Sequence, residues 1–328
     1  MLFQTSLGVL VLNKSTTYTS YVNFKIKELF GNFDNSIIFG QNIIAGSRIS
    51  GLGAELEHVT NCTAINTTNS ENSLIGMGFG LSLCSIPSML ILKQHDFALL
   101  GIDQITNTFN LIRNGKMQAS FSILMVVVDS GFEGPQSSLN NLNEFASIAR
   151  TPVLFLSTKG SIDYAFEQTR EPGLHLLAIS QSDMKRSLLF NKNTKILEQA
   201  EYFQATNLKK ITPKVAVVFF GMNVNPIFGL FEKYFSFEHE FDLFVMLGIF
   251  GEMSDDIAQI LGNYKKVIIV DSSKSIFRSS SELALLLEKS RIRLSLYNRV
   301  DNATWSEVFS DIPEYSIVEI ESDIIGEI

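Results

Sequence analysis

One carboxylate, Glu71, stands at the head of an apolar segment that also contains three glycines, SENSLIGMGFGLSL (70–83). The segment has the composition of a helix that packs into a protein interior, where an unpaired carboxylate is costly unless it is protonated or hydrogen-bonded. Two explanations are open. Glu71 is either a first-turn acid behind an N-cap at Asn69 or Ser70, stabilised by the helix dipole, or a residue that performs chemistry.

The alternating glycines of the same segment, GMGFG (76–80), also allow more than one interpretation. A dinucleotide-binding fingerprint requires G-x-G-x-x-G directly after a strand, whereas these glycines fall inside a helical pattern. Gly76 and Gly80 lie four residues apart and therefore on one helix face, where either another helix or a flat ligand can approach the backbone.

Composition limits the classes of function. The chain has 328 residues, 45% hydrophobic and 18% charged, which is enough for two globular domains. Its net charge of −8 repels phosphodiester backbones and anionic membranes, so we expect no nucleic-acid and no membrane partner. The sequence has neither a long apolar run nor a signal-peptide pattern, which predicts a cytoplasmic protein. Cys62 and Cys84 lack metal or redox spacing and are predicted to be buried thiols.

Apolar runs alternate with helical periodicity in the first part of the chain. Several runs are apolar on both faces, as in a parallel sheet covered by helices, so the pattern predicts an α/β, doubly wound architecture. The predicted strands are 36–40, 88–93, 120–129, 152–157 and 174–180, and the predicted helices are 22–30, 71–84, 97–113, 140–149 and 160–169.

A second α/β region follows a polar stretch. We predict a first domain over 1–182, a linker over 183–211 and a second domain over 212–328, each with a mostly parallel sheet flanked by helices. The strands of the second domain are predicted at 214–221, 241–248, 266–273 and 291–297, and its helices at 224–236, 254–262 and 280–289.

Four stretches, in order and with compatible spacing, resemble motifs of thiamine-diphosphate enzymes, most closely of the beta subunit of the 2-oxoacid dehydrogenase component. SIIFGQN (36–42) is similar to the strand ending in Gly-Glu/Gln-Asp, and residues 70–83 are similar to the Glu-x-x-x-x-Gly-x-x-x-Gly helix. HDFALLGIDQITN (95–107) resembles the aromatic-then-Asp-Gln segment, and DSGFEGPQSS (129–138) resembles the glycine-rich loop. Residues 212–328 look like the C-terminal domain of transketolase. The resemblance therefore implies a transketolase-like pyrimidine-binding domain followed by a transketolase C-terminal-like domain.

The resemblance implies roles for four residues. Glu71 matches the glutamate that hydrogen-bonds the N1′ atom of the cofactor's aminopyrimidine and favours the tautomer that deprotonates thiazolium C2. Phe97 matches the aromatic that stacks on this ring, with a core position as the alternative, and Gln41 matches a Glu or Gln near the active centre, with a loop-capping amide as the alternative. Ser137 stands where related subunits have a histidine. A serine donates a hydrogen bond but is not an acid near pH 7.

Other polar residues nearby have simpler explanations. His95 is expected to pack at a strand end, and Asp96 and Asp103 are expected to cap the following helix. The family anchors the cofactor diphosphate through Mg²⁺ and a Gly-Asp-Gly sequence, which this chain lacks. The resemblance thus implies that thiamine diphosphate and Mg²⁺ are held mainly by an alpha-type partner subunit, in an α2β2 assembly with a shared site and no metal ligands from this chain.

The function implied is that of an enzyme subunit, active only with its partner, in a thiamine-diphosphate-dependent lyase, oxidoreductase or transferase. The leading hypothesis is decarboxylation and dehydrogenation of a small 2-oxo acid with acyl transfer. A split transketolase-like ketol or acyl transferase acting on a ketose is the alternative. A third hypothesis is a non-catalytic beta-like scaffold, which the serine at position 137 favours and the retention of Glu71 and Phe97 opposes.

Overall fold

The chain folds into two compact units in a computed structural model. The described residues are 2–5, 8–11, 16–129, 131–133, 142–188, 194–199, 202–207, 214–234, 241–250, 255–273, 278–299, 309–311 and 315–326. The first unit consists of Met1–Val128 and Ile148–Leu188, and the second of Asp129–Ser147 and Leu189–Ile328. Ser137 lies outside the described residues. No helix in the described part of the chain is long and apolar enough to cross a membrane.

The first unit is built on a parallel sheet. Six of its strands, in the spatial order β8, β9, β6, β5, β3, β4, all pair in parallel, while β1 and β2 form a separate antiparallel hairpin. Along residues 1–188 the elements are β1 Leu2–Thr5, β2 Gly8–Val11, α1 Tyr18–Gly31, β3 Ser36–Gly40, β4 Cys62–Asn66, α2 Glu71–Leu83, β5 Ser88–Leu92, α3 Phe109–Ile112, β6 Ser120–Val127, β7 Gly131–Glu133, α4 Leu142–Ala149, β8 Val153–Phe155, α5 Lys159–Gln168 and β9 Gly173–Ser180.

Burial explains why these segments form the centre of the sheet. Every residue of β5 and β6 is buried, as expected for parallel strands with both faces covered. The helices begin at sequence-encoded caps: Thr17 and Thr158 each accept a hydrogen bond from the backbone N–H three residues on, in a capping box. The predicted α/β architecture with mostly parallel sheets is confirmed.

The first unit differs from the prediction at several points, one of which is the β1–β2 hairpin, which was not predicted. The strand β4 was not predicted because it lies at the sheet edge, with most of its residues exposed and no continuous apolar run. The predicted helix at 97–113 is instead a 3₁₀ helix, His95–Gly101, a π-helix, Gln104–Thr108, and then α3. The prediction of two buried thiols is wrong for Cys84, which is exposed, while Cys62 is half-buried. Burial raises the pKa of the Cys62 thiol.

The second unit has a mixed sheet in the spatial order β10, β11, β13, β12, β15, β16. The last four strands of this order pair in parallel, and β10 and β11 form an antiparallel hairpin that joins the sheet through β13. The elements are β10 Thr194–Gln199, β11 Tyr202–Asn207, β12 Val215–Phe220, α6 Asn225–Tyr234, β13 Phe241–Met246, β14 Gly248–Ile249, α7 Asp255–Leu261, β15 Lys266–Asp271, α8 Ser281–Lys289, β16 Arg293–Asn298, β17 Phe309–Asp311 and α9 Ile317–Ile325.

The β10–β11 hairpin lies within the stretch predicted as a linker. The stretch is polar, but it contains short segments of strand-forming residues whose backbone groups pair with each other and with β13. Sequence periodicity did not reveal them because antiparallel strands at a sheet edge need little apolar side-chain area.

Residues 129–147 belong to the second unit and are held there by three contacts. The backbone carbonyl of Asp129 accepts a hydrogen bond from the buried guanidinium of Arg299. Strand β7 pairs antiparallel with β17. The hydroxyl of Ser279 donates to Oδ1 of Asn143 over 2.6 Å. The segment is therefore part of the second unit's packing, although it lies between two stretches of the first unit in the sequence.

We expect an Asp323→Asn variant to lose about 1–3 kcal/mol of stability near neutral pH, because Lys266, 2% exposed, then loses its ion pair with the Asp323 carboxylate. Burial opposes ionisation of Asp323, but hydrogen bonds from Lys266 and from two β16 hydroxyls outweigh it and lower the pKa of the carboxyl. This stabilisation is present above the unfolded value near pH 4 and is lost as the pH falls through the lower folded pKa. Denaturant unfolding of both proteins from pH 7 to pH 2 should therefore show the difference shrinking below about pH 4.

An Asp256→Asn variant is the control for this prediction, since Asp256 is an exposed α7 residue. Its unfolding should follow the wild-type pH profile. A constant gap between Asp323→Asn and wild type at every pH would contradict the ion-pair explanation.

Candidate functional site

The predicted site residues follow the carboxyl ends of three adjacent parallel strands. Strand β3 lies between β4 and β5, and Gly40 at its end is level with Asn66 on one side and Ile91 on the other. From β3 the chain continues to β4 on one side, and from β5 it continues to β6 on the other, so the outgoing connections diverge between β3 and β5. In open α/β sheets such a divergence leaves a crevice at the carboxyl edge that commonly binds ligands.

Two hydrogen bonds hold the loop after β3 against the start of the loop after β4. The Thr67 N–H donates to the Gly40 carbonyl at 3.0 Å, and the Ile44 N–H donates to Asn66 Oδ1 at 3.0 Å. Gln41 lies between these two anchors and is half-buried. The backbone of Gln41 is therefore held close to the loop that leads to Glu71.

Gly40 is required where β3 ends. Its φ is +154°, and a Cβ added there would lie 2.4 Å from the backbone carbonyl oxygen of Ile91. No other residue allows the ends of β3 and β5 to approach this closely.

The first turn of α2 presents Glu71 in a nearly buried position. Ser70 is the N-cap, but its side chain makes no capping hydrogen bond to the helix, and its hydroxyl bonds to the Ser73 hydroxyl at 3.0 Å instead. Glu71 is only 8% exposed. A carboxylate that only complements the helix dipole gains nothing from burial, which costs it hydration. Burial therefore favours a specific binding role over a capping role.

Gly101 lets the segment that carries Phe97 pack directly on the first turn of α2. A Cβ added at Gly101 would lie 3.1 Å from the backbone oxygen of Glu71 and 2.4 Å from Cδ1 of Ile75. Phe97 belongs to the same 3₁₀ helix as Gly101 and is half-buried. The structure therefore brings the elements bearing Glu71 and Phe97 into contact, and no sequence motif indicated this role of Gly101.

The ring of Phe97 differs in its surroundings from the aromatic core of the unit. Phe79 stacks on Phe109 at 5.6 Å and meets Phe121 edge-on at 5.2 Å, and all three are buried. In the described part of the chain Phe97 makes no such ring pair. A partly exposed ring at the carboxyl edge fits a binding surface better than a core position.

Two of the three glycines of α2 lie against side chains that leave little or no room for a Cβ atom. Gly76 faces the side chain of Gln104, whose Oε1 would lie 3.3 Å from an added Cβ, and Gly78 faces the ring of Phe121 at 2.2 Å. Nothing lies within 4 Å of an added Cβ at Gly80. All three lie inside the helix, so they do not form a dinucleotide-binding loop.

His95 and its neighbours lie beside Phe97. His95 is 1% exposed, in agreement with the expected packing role, and its Nδ1 is 3.7 Å from Oδ2 of Asp96. Asp103 occupies an N-cap position without a side-chain capping bond, and its Oδ1 accepts from Nδ2 of Asn107 at 2.6 Å. Within the described ranges no three His, Cys, Asp or Glu side chains cluster as metal ligands do.

Thr67 is a residue of this edge that sequence reasoning missed. Thr67 as a whole is partly exposed. Its hydroxyl oxygen, however, is buried and has no hydrogen-bond partner among the described residues. No sequence signal distinguishes it from the neighbouring Thr68.

Comparison with solved structures identifies the architecture. The chain superposes on a protein described as a split gene transketolase, inactive beta4 tetramer, with a TM-score of 0.62 and 12% sequence identity, over 95% of this chain and 98% of that one. The chain has a transketolase-like fold. No protein-family model and no curated protein sequence matches it. The transketolase-like fold accounts for both sheets and for the order of the two units along most of the sequence.

Proposed function

We propose that this chain is the beta-type subunit of a thiamine-diphosphate-dependent enzyme that makes or breaks a carbon–carbon bond next to a carbonyl. The observation that carries the proposal is the nearly buried carboxylate of Glu71 on a helix turn packed against the segment of Phe97. An acid and an aromatic on two elements that pack together, at the carboxyl edge of a parallel sheet, suit a flat heterocycle with a basic ring nitrogen.

The residues present fit the aminopyrimidine half of the cofactor. Glu71 would accept a hydrogen bond from a protonated ring nitrogen, Phe97 would stack on the ring face, and Gln41 would supply an amide at the rim. The buried Thr67 hydroxyl, which lacks a partner among the described residues, is a further polar group at this edge. When bound, thiamine diphosphate supplies the carbon nucleophile and the electron sink for the reaction.

The part of this chain in the chemistry is to orient the ring and to hold a proton. Glu71 as a residue is only 8% exposed, and a bound ring would displace the remaining water, so a hydrogen bond from its carboxylate to a ligand nitrogen would be stronger than in water. The ring of Phe97 and the backbone of β3 and β5 would exclude water from the same place.

The diphosphate and its Mg²⁺ would be bound by a partner. The sequence has no Gly-Asp-Gly motif, and the described residues contain no metal-ligating cluster. We therefore propose an alpha-type partner subunit carrying the diphosphate site and an α2β2 enzyme. A chain without this partner should bind the intact cofactor poorly.

Two reactions are candidates. A small 2-oxo acid as substrate, decarboxylated and dehydrogenated with acyl transfer, follows from the sequence motifs. A split transketolase-like ketol or acyl transferase is favoured by the structural neighbour, which is described as a split gene transketolase. That neighbour is also described as inactive, and a non-catalytic scaffold is the third candidate.

A Phe97→Leu variant tests the proposed ring stacking. In the chain co-purified with the proposed alpha-type partner, thiamine diphosphate with Mg²⁺ should bind about 2- to 13-fold more weakly than to wild type, because an aliphatic side chain loses the stacking energy of about 0.5–1.5 kcal/mol. Isothermal titration measures the affinity directly.

Phe33→Leu is the matched control. Phe33 is also half-buried but follows α1 and precedes β3, at the amino edge of the sheet. It should leave the affinity unchanged. If the two variants weakened binding equally, or neither did, Phe97 would not contact the cofactor.

A further inference from the structure

Thr67 carries an unused hydrogen-bonding group at the edge where the proposed pyrimidine site lies. Its Oγ1 atom is shielded from solvent and has no partner among the described residues. A buried hydroxyl without a partner lowers the stability of a folded protein, so its presence calls for an explanation.

The backbone around Thr67 is fixed. Its N–H donates to the Gly40 carbonyl at 3.0 Å, and the preceding residue, Asn66, accepts from the Ile44 N–H. The residue therefore cannot move away as a unit. The residue as a whole is partly exposed, so a change of rotamer about Cα–Cβ is what would bring the hydroxyl to a bound ligand.

The position of Thr67 relative to Glu71 agrees with a role in binding. Thr67 is the first residue after β4, and Glu71 follows four residues later as the first residue of α2. Thr67 and Glu71 thus stand at the two ends of the short connection from β4 to α2, at the carboxyl edge where Asn66 is level with Gly40 of β3. A hydroxyl can donate to a ring nitrogen and accept from an exocyclic amine, which are the polar groups of an aminopyrimidine.

We propose that the Thr67 hydroxyl is a further binding group of this site and forms a hydrogen bond with the aminopyrimidine of the ligand. This inference rests on the proposed function and adds a residue to it. It explains why a hydroxyl is retained where the ligand-free chain gains nothing from it.

The contrast with the opposite edge of the sheet supplies a control. The hydroxyls of Ser88 and Ser122 are also buried without a partner among the described residues, but they lie near the amino ends of β5 and β6. If orphan hydroxyls were only a packing feature of this sheet, removing any of them would have the same effect on binding.

The test uses the full chain and the alcohol of the pyrimidine half of thiamine, 4-amino-5-hydroxymethyl-2-methylpyrimidine, titrated by ligand-observed NMR. Thr67→Val, which keeps the shape and removes the hydroxyl, should raise the dissociation constant about 3- to 10-fold. Thr67→Ser and Ser122→Ala should remain within about twofold of wild type. The Tm of Thr67→Val without ligand should equal or exceed that of wild type, because an unsatisfied hydroxyl is removed.

Each alternative outcome has one meaning. Wild-type affinity in Thr67→Val, or a lowered Tm in that variant, would overturn the role of Thr67 while leaving the proposed function intact. If wild type does not bind the pyrimidine, or Glu71→Gln binds it as well as wild type does, the proposed function fails and this inference fails with it.

Discussion

A Glu71→Gln variant, co-purified with the proposed alpha-type partner and loaded with the proposed cofactor, thiamine diphosphate with Mg²⁺, is expected to exchange the cofactor's C2 proton about 10²- to 10⁴-fold more slowly than wild type. Glutamine has nearly the same shape and is neutral, so the packing at Gly101 is retained while the carboxylate is lost. Quenched exchange in deuterium oxide, followed by proton NMR of the released cofactor, measures the rate without any substrate.

The size of this effect follows from the environment of the carboxylate. Glu71 is 8% exposed, so a replacement water cannot readily take over its hydrogen bond to the ring. A neutral amide cannot share a proton with the ring nitrogen, because it has no ionised form to do so. The affinity for the cofactor should fall much less than the exchange rate, since stacking and diphosphate binding remain.

Glu319→Gln is the control for this experiment. Glu319 is also a first-turn acid, in α9, but it is exposed, and its N–H is capped by the Ser316 hydroxyl at 3.2 Å. Its loss should change stability by about 0.3–1 kcal/mol and leave exchange unaffected. Equal, slow exchange in wild type and Glu71→Gln would mean that Glu71 only caps its helix. The hypothesis of a non-catalytic scaffold would then be favoured over an enzyme.

The second large effect is expected in α2, where replacing glycine by alanine should lower the stability of the first unit at Gly78 and raise it at Gly80. Gly78→Ala should destabilise the first unit by about 1–3 kcal/mol or more, because the new methyl group would lie 2.2 Å from the Phe121 ring. That ring is fully buried and is enclosed by Phe39 at 6.4 Å and Phe79 at 5.2 Å, so it has no space to retreat.

Gly80→Ala should instead stabilise the unit by about 0.5–1 kcal/mol, since the position is exposed, has nothing within 4 Å, and gains helix propensity. Denaturant-dependent hydrogen exchange of the β6 amides reports the stability of this unit separately from the other. Similar stabilities for the two variants would show that α2 can shift away from β6 and that the packing there is loose.

Sequence reasoning predicted the parts of the fold that depend on local pattern. The buried strands β5 and β6 are continuous apolar runs, and α2 has a clear start at Ser70 and Glu71, so both were found close to their actual bounds. The edge strand β4 and the hairpin of β10 and β11 were missed because they draw their stability from backbone pairing with partners far away in sequence.

In the candidate site, too, some residues could be predicted from local sequence motifs and others could not. Glu71, Phe97 and Gln41 were chosen from motifs and are placed at one edge by the order of three parallel strands. The contribution of Gly101 depends on the 3₁₀ helix packing against α2, and that of Thr67 on a hydroxyl left without a partner. Neither is a property of a local pattern, because both arise from tertiary contacts that a sequence window does not contain.

The assignment of residues 129–147 to the second unit has a consequence for synthesis of the chain. During translation this segment leaves the ribosome long before its partners, since 170 positions separate Asp129 from Arg299. Closing so large a loop is slow and entropically unfavourable, so the segment must wait unpaired while the first unit forms around its two flanks. A region synthesised much later therefore supplies the partner of Asp129, and a fragment that ends before Arg299 would lack this contact.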